Sequence, residues 1–332
     1  MSEPIPHPRE TFDWAGDEAH ERGFLDALDR GRLHHAWLIV GPPGVGKATF
    51  AYRAARRLLG ARAEPTLGPL GAAPGDPVSR QILGRAHPDL LVLQRDPEDG
   101  KARRGIPVDE ARTLPEFFSK SPATAPYRVA IIDTADDLNT HGANAVLKTL
   151  EEPPERGVLL LLSHAPGGLL PTIRSRCRRL RIDIPEAGRA ARWLEARAGV
   201  GAQDAEDLLA MARGAGGAAW RLAGEGALDA DRQARELLSA LPKADESALM
   251  AITDSFRGPA GVARFALFFD RLADQVQAMA VRRAAEGETS VVLDRWAEMW
   301  SELVALPREA EGINLDRAEV FQTTLSRLRT IG

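Results

Sequence analysis

The sequence predicts an α/β domain on a mostly parallel sheet, followed by an all-helical C-terminal region, and three observations carry that expectation. Short continuous apolar runs alternate with helical periodicity over the first half of the chain. A glycine-rich phosphate-binding pattern stands between one such run and the helix after it. Beyond Pro185 the strand pattern stops and only helical periodicity remains.

The elements follow in order. Trp37-Leu38-Ile39-Val40 is an apolar run ending at a glycine, as expected of a strand buried on both faces. Phe50, Ala51, Ala54, Ala55, Leu58 and Leu59 then recur at helical spacing, with Gly60 placed to end the helix. Residues 61–79, ARAEPTLGPLGAAPGDPVS, have no period and read as a loop or disordered insert. Further strand-like runs lie at Leu90–Leu93, Val129–Ile132 and Val158–Leu162. Between the last two, Leu138, Val146, Leu147 and Leu150 suggest a helix stopped by Pro153-Pro154. Glycines crowd 214–226 and read as a hinge. Three apolar stripes follow: Phe265, Phe268, Phe269, Leu272, Val276 and Met279; Trp296, Trp300 and Leu303; Phe321, Leu325 and Leu328. They are read as bundle core. The expected division is an α/β domain over 1–184, a small helical domain over 185–226 and a helical domain over 227–332.

Length and composition limit the function. At roughly 150 residues per domain, 332 residues give two or three domains. With 43 basic against 47 acidic residues the net charge is −4, so nucleic-acid contact would need a local patch or partners. The single cysteine, Cys177, excludes a disulfide framework and a multi-cysteine zinc site, and it reads as a packed small residue. No basic and apolar leader opens the chain, and Val158–Leu162 is far short of the ~20 apolar residues a bilayer requires, so a cytoplasmic location without membrane contact is expected. The seven histidines show no metal-ligand spacing.

The sharpest motif is GPPGVGKA, Gly41–Ala48. Gly41, Gly44 and Gly46 let the backbone around Val45 turn its N–H groups toward phosphate oxygens, and Lys47 is placed to reach terminal phosphates. The next position calls for a hydroxyl that holds Mg²⁺, and Ala48 has none. Thr49 comes one residue late, turned by about 100° on a helix. The run Val129–Ile132 ends in Asp133, a carboxylate suited to Mg²⁺, but the neighbouring position that should activate water is Thr134. Two lesions in two motifs predict a degenerate nucleotide site that binds ATP weakly or not at all, without Mg²⁺ and without turnover.

Asp133–Pro154 (DTADDLNTHGANAVLKTLEEPP) and Pro171–Cys177 (PTIRSRC), with HPDLL at 87–91 and IPVDEAR at 106–112, resemble the clamp-loader branch of the AAA+ superfamily. The resemblance is nearest to the delta-prime subunits of bacterial DNA polymerase III and spans about residues 30–225. It implies a P-loop domain, a helical lid and a C-terminal collar in a hetero-pentameric ring with gamma/tau and delta subunits. That ring acts on the sliding clamp and primer-template DNA in replication. It also implies that the chain belongs to a DNA-directed DNA polymerase holoenzyme without an ATPase of its own, and that Arg176 of SRC is an arginine finger acting in trans on a neighbour's ATP. Arg174, Arg178, Arg179 and Arg181 nearby read as solvated or interface residues. The chain departs from the pattern in having no four-cysteine zinc module, and in lacking the nucleotide-sensing lid arginine expected near Gly217, Arg221 being nearby but out of register. The alternative is an active motor subunit of the gamma/tau type, which Ala48 and Thr134 disfavour. An unrelated P-loop kinase or repair ATPase would have no use for the SRC and LKTLEEPP elements.

Overall fold

The computed structural model describes residues 6–95, 105–241 and 245–331. Contacts divide the chain into two compact units, one running to Trp220 and the other starting at Arg221. The second unit therefore starts inside a helix, five residues before the glycine at 226.

The first unit is built on five parallel strands in the order β2-β3-β4-β1-β5: β1 (Ala36–Val40), β2 (Leu90–Gln94), β3 (Arg128–Asp133), β4 (Gly157–Ser163) and β5 (Arg178–Arg181). β1 and β4 are buried along their whole length, which is why they read as unbroken apolar runs. Their side chains still alternate between two cores. Trp37, Ile39, Val129, Ile131, Leu160 and Leu162 face α1 (Glu18–Asp29) and α2 (Lys47–Leu58), meeting Phe24, Phe50 and Leu58. Leu38, Val40, Ala130, Ile132, Leu159 and Leu161 point the other way. There they meet Leu114 and Phe118 of α5 (Thr113–Ser119), Val146 and Leu150 of α6 (Thr140–Glu151) and Ile173 of α7 (Pro171–Arg176). The short α4 (Val108–Ala111) completes this layer through Ala111, whereas α3 (Pro77–Leu83) packs Ile82 into the first core beside α2.

The sequence reading missed β5. Three of its four residues are arginines, which give no apolar run, and its edge position tolerates charge that a central strand would reject. The insert at 61–79 is also corrected: it is ordered, with Ala61, Leu70, Ala72 and Ser79 buried. Two arginines buried on α2 fix it. Arg53 is ion-paired with Glu21 at 2.5 Å and donates to Leu67 O at 2.5 Å and to Phe12 O, while Leu70 N–H donates to Glu21 at 3.2 Å. Arg56 donates to Arg9 O and lies over the Phe12 ring at 4.2 Å.

Three helices close the first unit's chain: α8 (Ala187–Ala198), α9 (Ala202–Met211) and α10 (Gly216–Glu225). The glycine-rich 214–226 is mostly the helix α10, with Gly214 and Gly226 at positive φ on either side of it, and the boundary between the two units falls within it.

The second unit is all helical, with α11 (Ala227–Ala240), α12 (Glu246–Ser255), α13 (Gly261–Ala285), α14 (Ser290–Gly312) and α15 (Arg317–Ile331). Phe256, Phe265, Phe268, Phe269 and Phe321 form its aromatic centre, ring centroids 4.4–5.9 Å apart. Trp296, Met299 and Leu303 line the inner face of α14, whereas Trp300 sits at its edge and is 37% exposed, not core as expected.

Candidate functional site: a phosphate loop and an arginine at the end of α7

The C-terminal ends of β1, β3 and β4 meet at the place where parallel α/β sheets bind ligands. Gly41 leaves β1 with its N–H donating to Ser163 O at 3.3 Å. Gly44 and Gly46 take φ of +74° and +98°, open to glycine alone without strain, and Gly46 starts α2. Val45 is buried, and Ala48 and Thr49 are half-buried in the first turn of α2. The motif is therefore assembled as a phosphate loop.

The loop is held by contacts from within the chain. Lys47 is 7% exposed and its Nζ donates to Gly41 O and Pro42 O, both at 2.8 Å. Burial pulls this ammonium's pKa down, while the carboxylates of Asp133 and Asp136 pull it up. Burial pushes the Asp133 carboxyl up, with Lys47 opposing. From the other side α10 docks by its backbone: Gly217 N–H donates to Gly44 O at 2.9 Å. A Cβ on Gly217 would stand 2.8 Å from that oxygen, and one on Gly44 would stand 2.6 Å from the Ala218 Cβ. Side chains at either place would part the two elements.

A strap over residues 7–16 covers the remaining side, which sequence reasoning did not find. Trp14 packs on Phe50 with ring centroids 5.4 Å apart, and its Nε1 lies 2.7 Å from where a Cβ on Gly46 would be. That indole N–H is buried without an acceptor. Arg189 and Arg197 of α8 hold the strap through Gly16 O at 2.9 Å and the Asp13 carboxylate. Beside the loop, Asp136 accepts from Ser163 Oγ and His164 N–H, each at 2.8 Å, and its Oδ2 lies 3.1 Å from His164 Nδ1. Thr134 Oγ1 donates to Asp137 at 3.4 Å. Asp136 gave no sequence signal, because only folding brings β4's end beside it.

Arg176 is placed apart from this cluster, as the last residue of α7. Its side chain is 38% exposed; Nη2 lies 3.1 Å from Glu151 Oε1 and Nη1 donates to Thr172 O at 3.2 Å. Among its neighbours, Arg178 lies over Trp37 at 4.8 Å and Arg181 pairs with Asp183 at 2.5 Å. Burial raises the adjacent Cys177 thiol to about 12, which suits a packed residue and not a nucleophile. Among the described residues no three His, Cys, Asp or Glu side chains gather as metal ligands, and no helix is long and apolar enough to cross a membrane.

Comparison with known proteins follows the same lines. A delta′ subunit of DNA polymerase III from Pseudomonas aeruginosa is 37% identical over 217 residues, 64% of this chain and 63% of that protein. The Yersinia pestis delta′ subunit is 34% identical over 166 residues, 49% and 46% of the two chains. A gamma/tau subunit from Mycobacterium tuberculosis is 38% identical over 150 residues, 45% of this chain and 24% of that protein. The matched stretches thus span less than two thirds of these relatives. The model of the family described as DNA polymerase III, delta subunit, matches residues 16–186, just over half of the chain. With its parallel sheet, its phosphate loop and this match in hand, the chain belongs to the DNA polymerase III delta-subunit family.

Proposed function

We propose that this chain is the non-hydrolysing subunit of the DNA polymerase III clamp loader, and that its Arg176 completes the ATP site of a neighbouring motor subunit. The observation that carries this reading is a contrast within one domain. The chain's own phosphate loop lacks the hydroxyl that would hold Mg²⁺ and its lysine donates to loop carbonyls, while a partly exposed guanidinium stands at the end of α7.

The loop does not fit nucleotide with Mg²⁺. Ala48 offers no hydroxyl to hold the metal, and Lys47 Nζ donates to the Gly41 and Pro42 carbonyls. In this reading ATP is not hydrolysed at Gly41–Thr49 and Asp133. Arg176 has a planar, permanently charged group suited to oxygens on which negative charge builds. In this reading the partners are gamma/tau and delta subunits in a five-membered ring, joined through helical collars over 227–332. The ring opens the sliding clamp and closes it around primer-template DNA in the bacterial cytoplasm.

Arg176→Ala is expected to leave folding and assembly intact. It should lower DNA-stimulated ATP hydrolysis and clamp loading by the assembled complex about tenfold or more; an arginine finger is worth roughly 10³–10⁵ elsewhere, and here it serves one site among several. Loading at the wild-type rate by the mutant complex would overturn the reading.

A further inference from the structure

We infer that Glu151 is a positioning residue for the Arg176 guanidinium, an inference that rests on the reading of Arg176 given above. Arg176 is held at two points from two elements: Glu151 Oε1 at the end of α6, 3.1 Å from Nη2, and Thr172 O within α7, 3.2 Å from Nη1. A guanidinium has five N–H donors in one rigid plane. Two are engaged here, and three remain for an anion arriving from another chain. The side chain is thus pre-set without being used up, which reduces the rotamer freedom lost when it meets a phosphoryl group.

Glu151's place argues for the same role. It is the last residue of α6, where the helix dipole disfavours a carboxylate, so the helix itself does not call for an acid there. The pair is also exposed, with side chains 38% and 54% accessible, and contributes little to folding. Arg178 and Arg181 settle on Trp37 and on Asp183, close by on β1 and just past β5, whereas Arg176 alone of these three is drawn to a carboxylate on a separate helix.

The test is steady-state DNA-stimulated ATP hydrolysis by complexes assembled with Glu151→Ala, Glu151→Gln, Arg176→Ala and the Glu151→Ala/Arg176→Ala double variant. The expected result for Glu151→Ala is a kcat about two- to five-fold lower, the coupling of an exposed ion pair, with KM and thermal midpoint unchanged. Glu151→Gln, which keeps an acceptor without charge, should lie between it and wild type. The double variant should be no slower than Arg176→Ala. Wild-type kcat for Glu151→Ala beside an impaired Arg176→Ala, or losses that add in the double variant, would overturn the positioning role alone. Wild-type rates for Arg176→Ala would instead bring down the reading of Arg176.

Discussion

Asp89 shows what a single buried carboxylate does in this fold. It has no exposed surface, and it accepts from the N–H groups of Ala123, Thr124 and Ala125 at 2.7–3.1 Å and from Arg128 Nε at 3.2 Å. Burial alone would push its pKa up; the four donors overcome this and hold it at about 2 against an ordinary 3.8. A depressed carboxylate contributes stability that is fully present above 3.8 and is lost as pH falls toward 2. That contribution is on the order of 2 kcal/mol. Chemical denaturation of the wild type should therefore weaken between pH 4 and pH 2, and Asp89→Asn should flatten that segment while lowering stability at pH 7. An unchanged acid limb in Asp89→Asn would show that other carboxylates carry it. The HPDLL segment marks this residue only by resemblance, since its partners lie 34 to 39 positions away.

At the scale of elements, apolar content decides what could be read. Strands β1 to β4 and the helices between them announce themselves because burial on one or both faces leaves a period in the sequence. The insert at 61–79 leaves none, because what orders it is a pair of buried arginines on α2, a residue type that composition assigns to the surface. The partner, Glu21, lies 32 positions upstream, and nothing local ties the two. Removing one member strands a buried charge, so Glu21→Gln should cost about 3–5 kcal/mol. Limited proteolysis should then cut first within 61–76. Replacing both members together, Glu21→Leu with Arg53→Met, should recover much of that loss. Cleavage and unfolding profiles for Glu21→Gln that match wild type would contradict this account of the insert.

At the scale of the whole molecule, the phosphate-loop residues were legible one by one, but the contacts that hold the loop were not. Ala48 and Thr134 reveal missing groups; they cannot reveal that Trp14, Gly217 and Lys47 all contact the loop. This sets an expectation for repair. Ala48→Ser with Thr134→Glu should give no ATP turnover above background in the isolated chain, with or without primed DNA. Turnover that Lys47→Ala abolishes would show that the loop opens unaided. The junction of Gly44 and Gly217 has a consequence for how such a protein can change. Each glycine is admitted only because the other elements press so near: a Cβ at 217 meets the Gly44 carbonyl, and one at 44 meets Ala218. Any side chain at 217 would therefore break the docking of α10 on the loop. The two positions thereby lock each other: a side chain can enter at either one only after the loop and α10 have parted at the backbone.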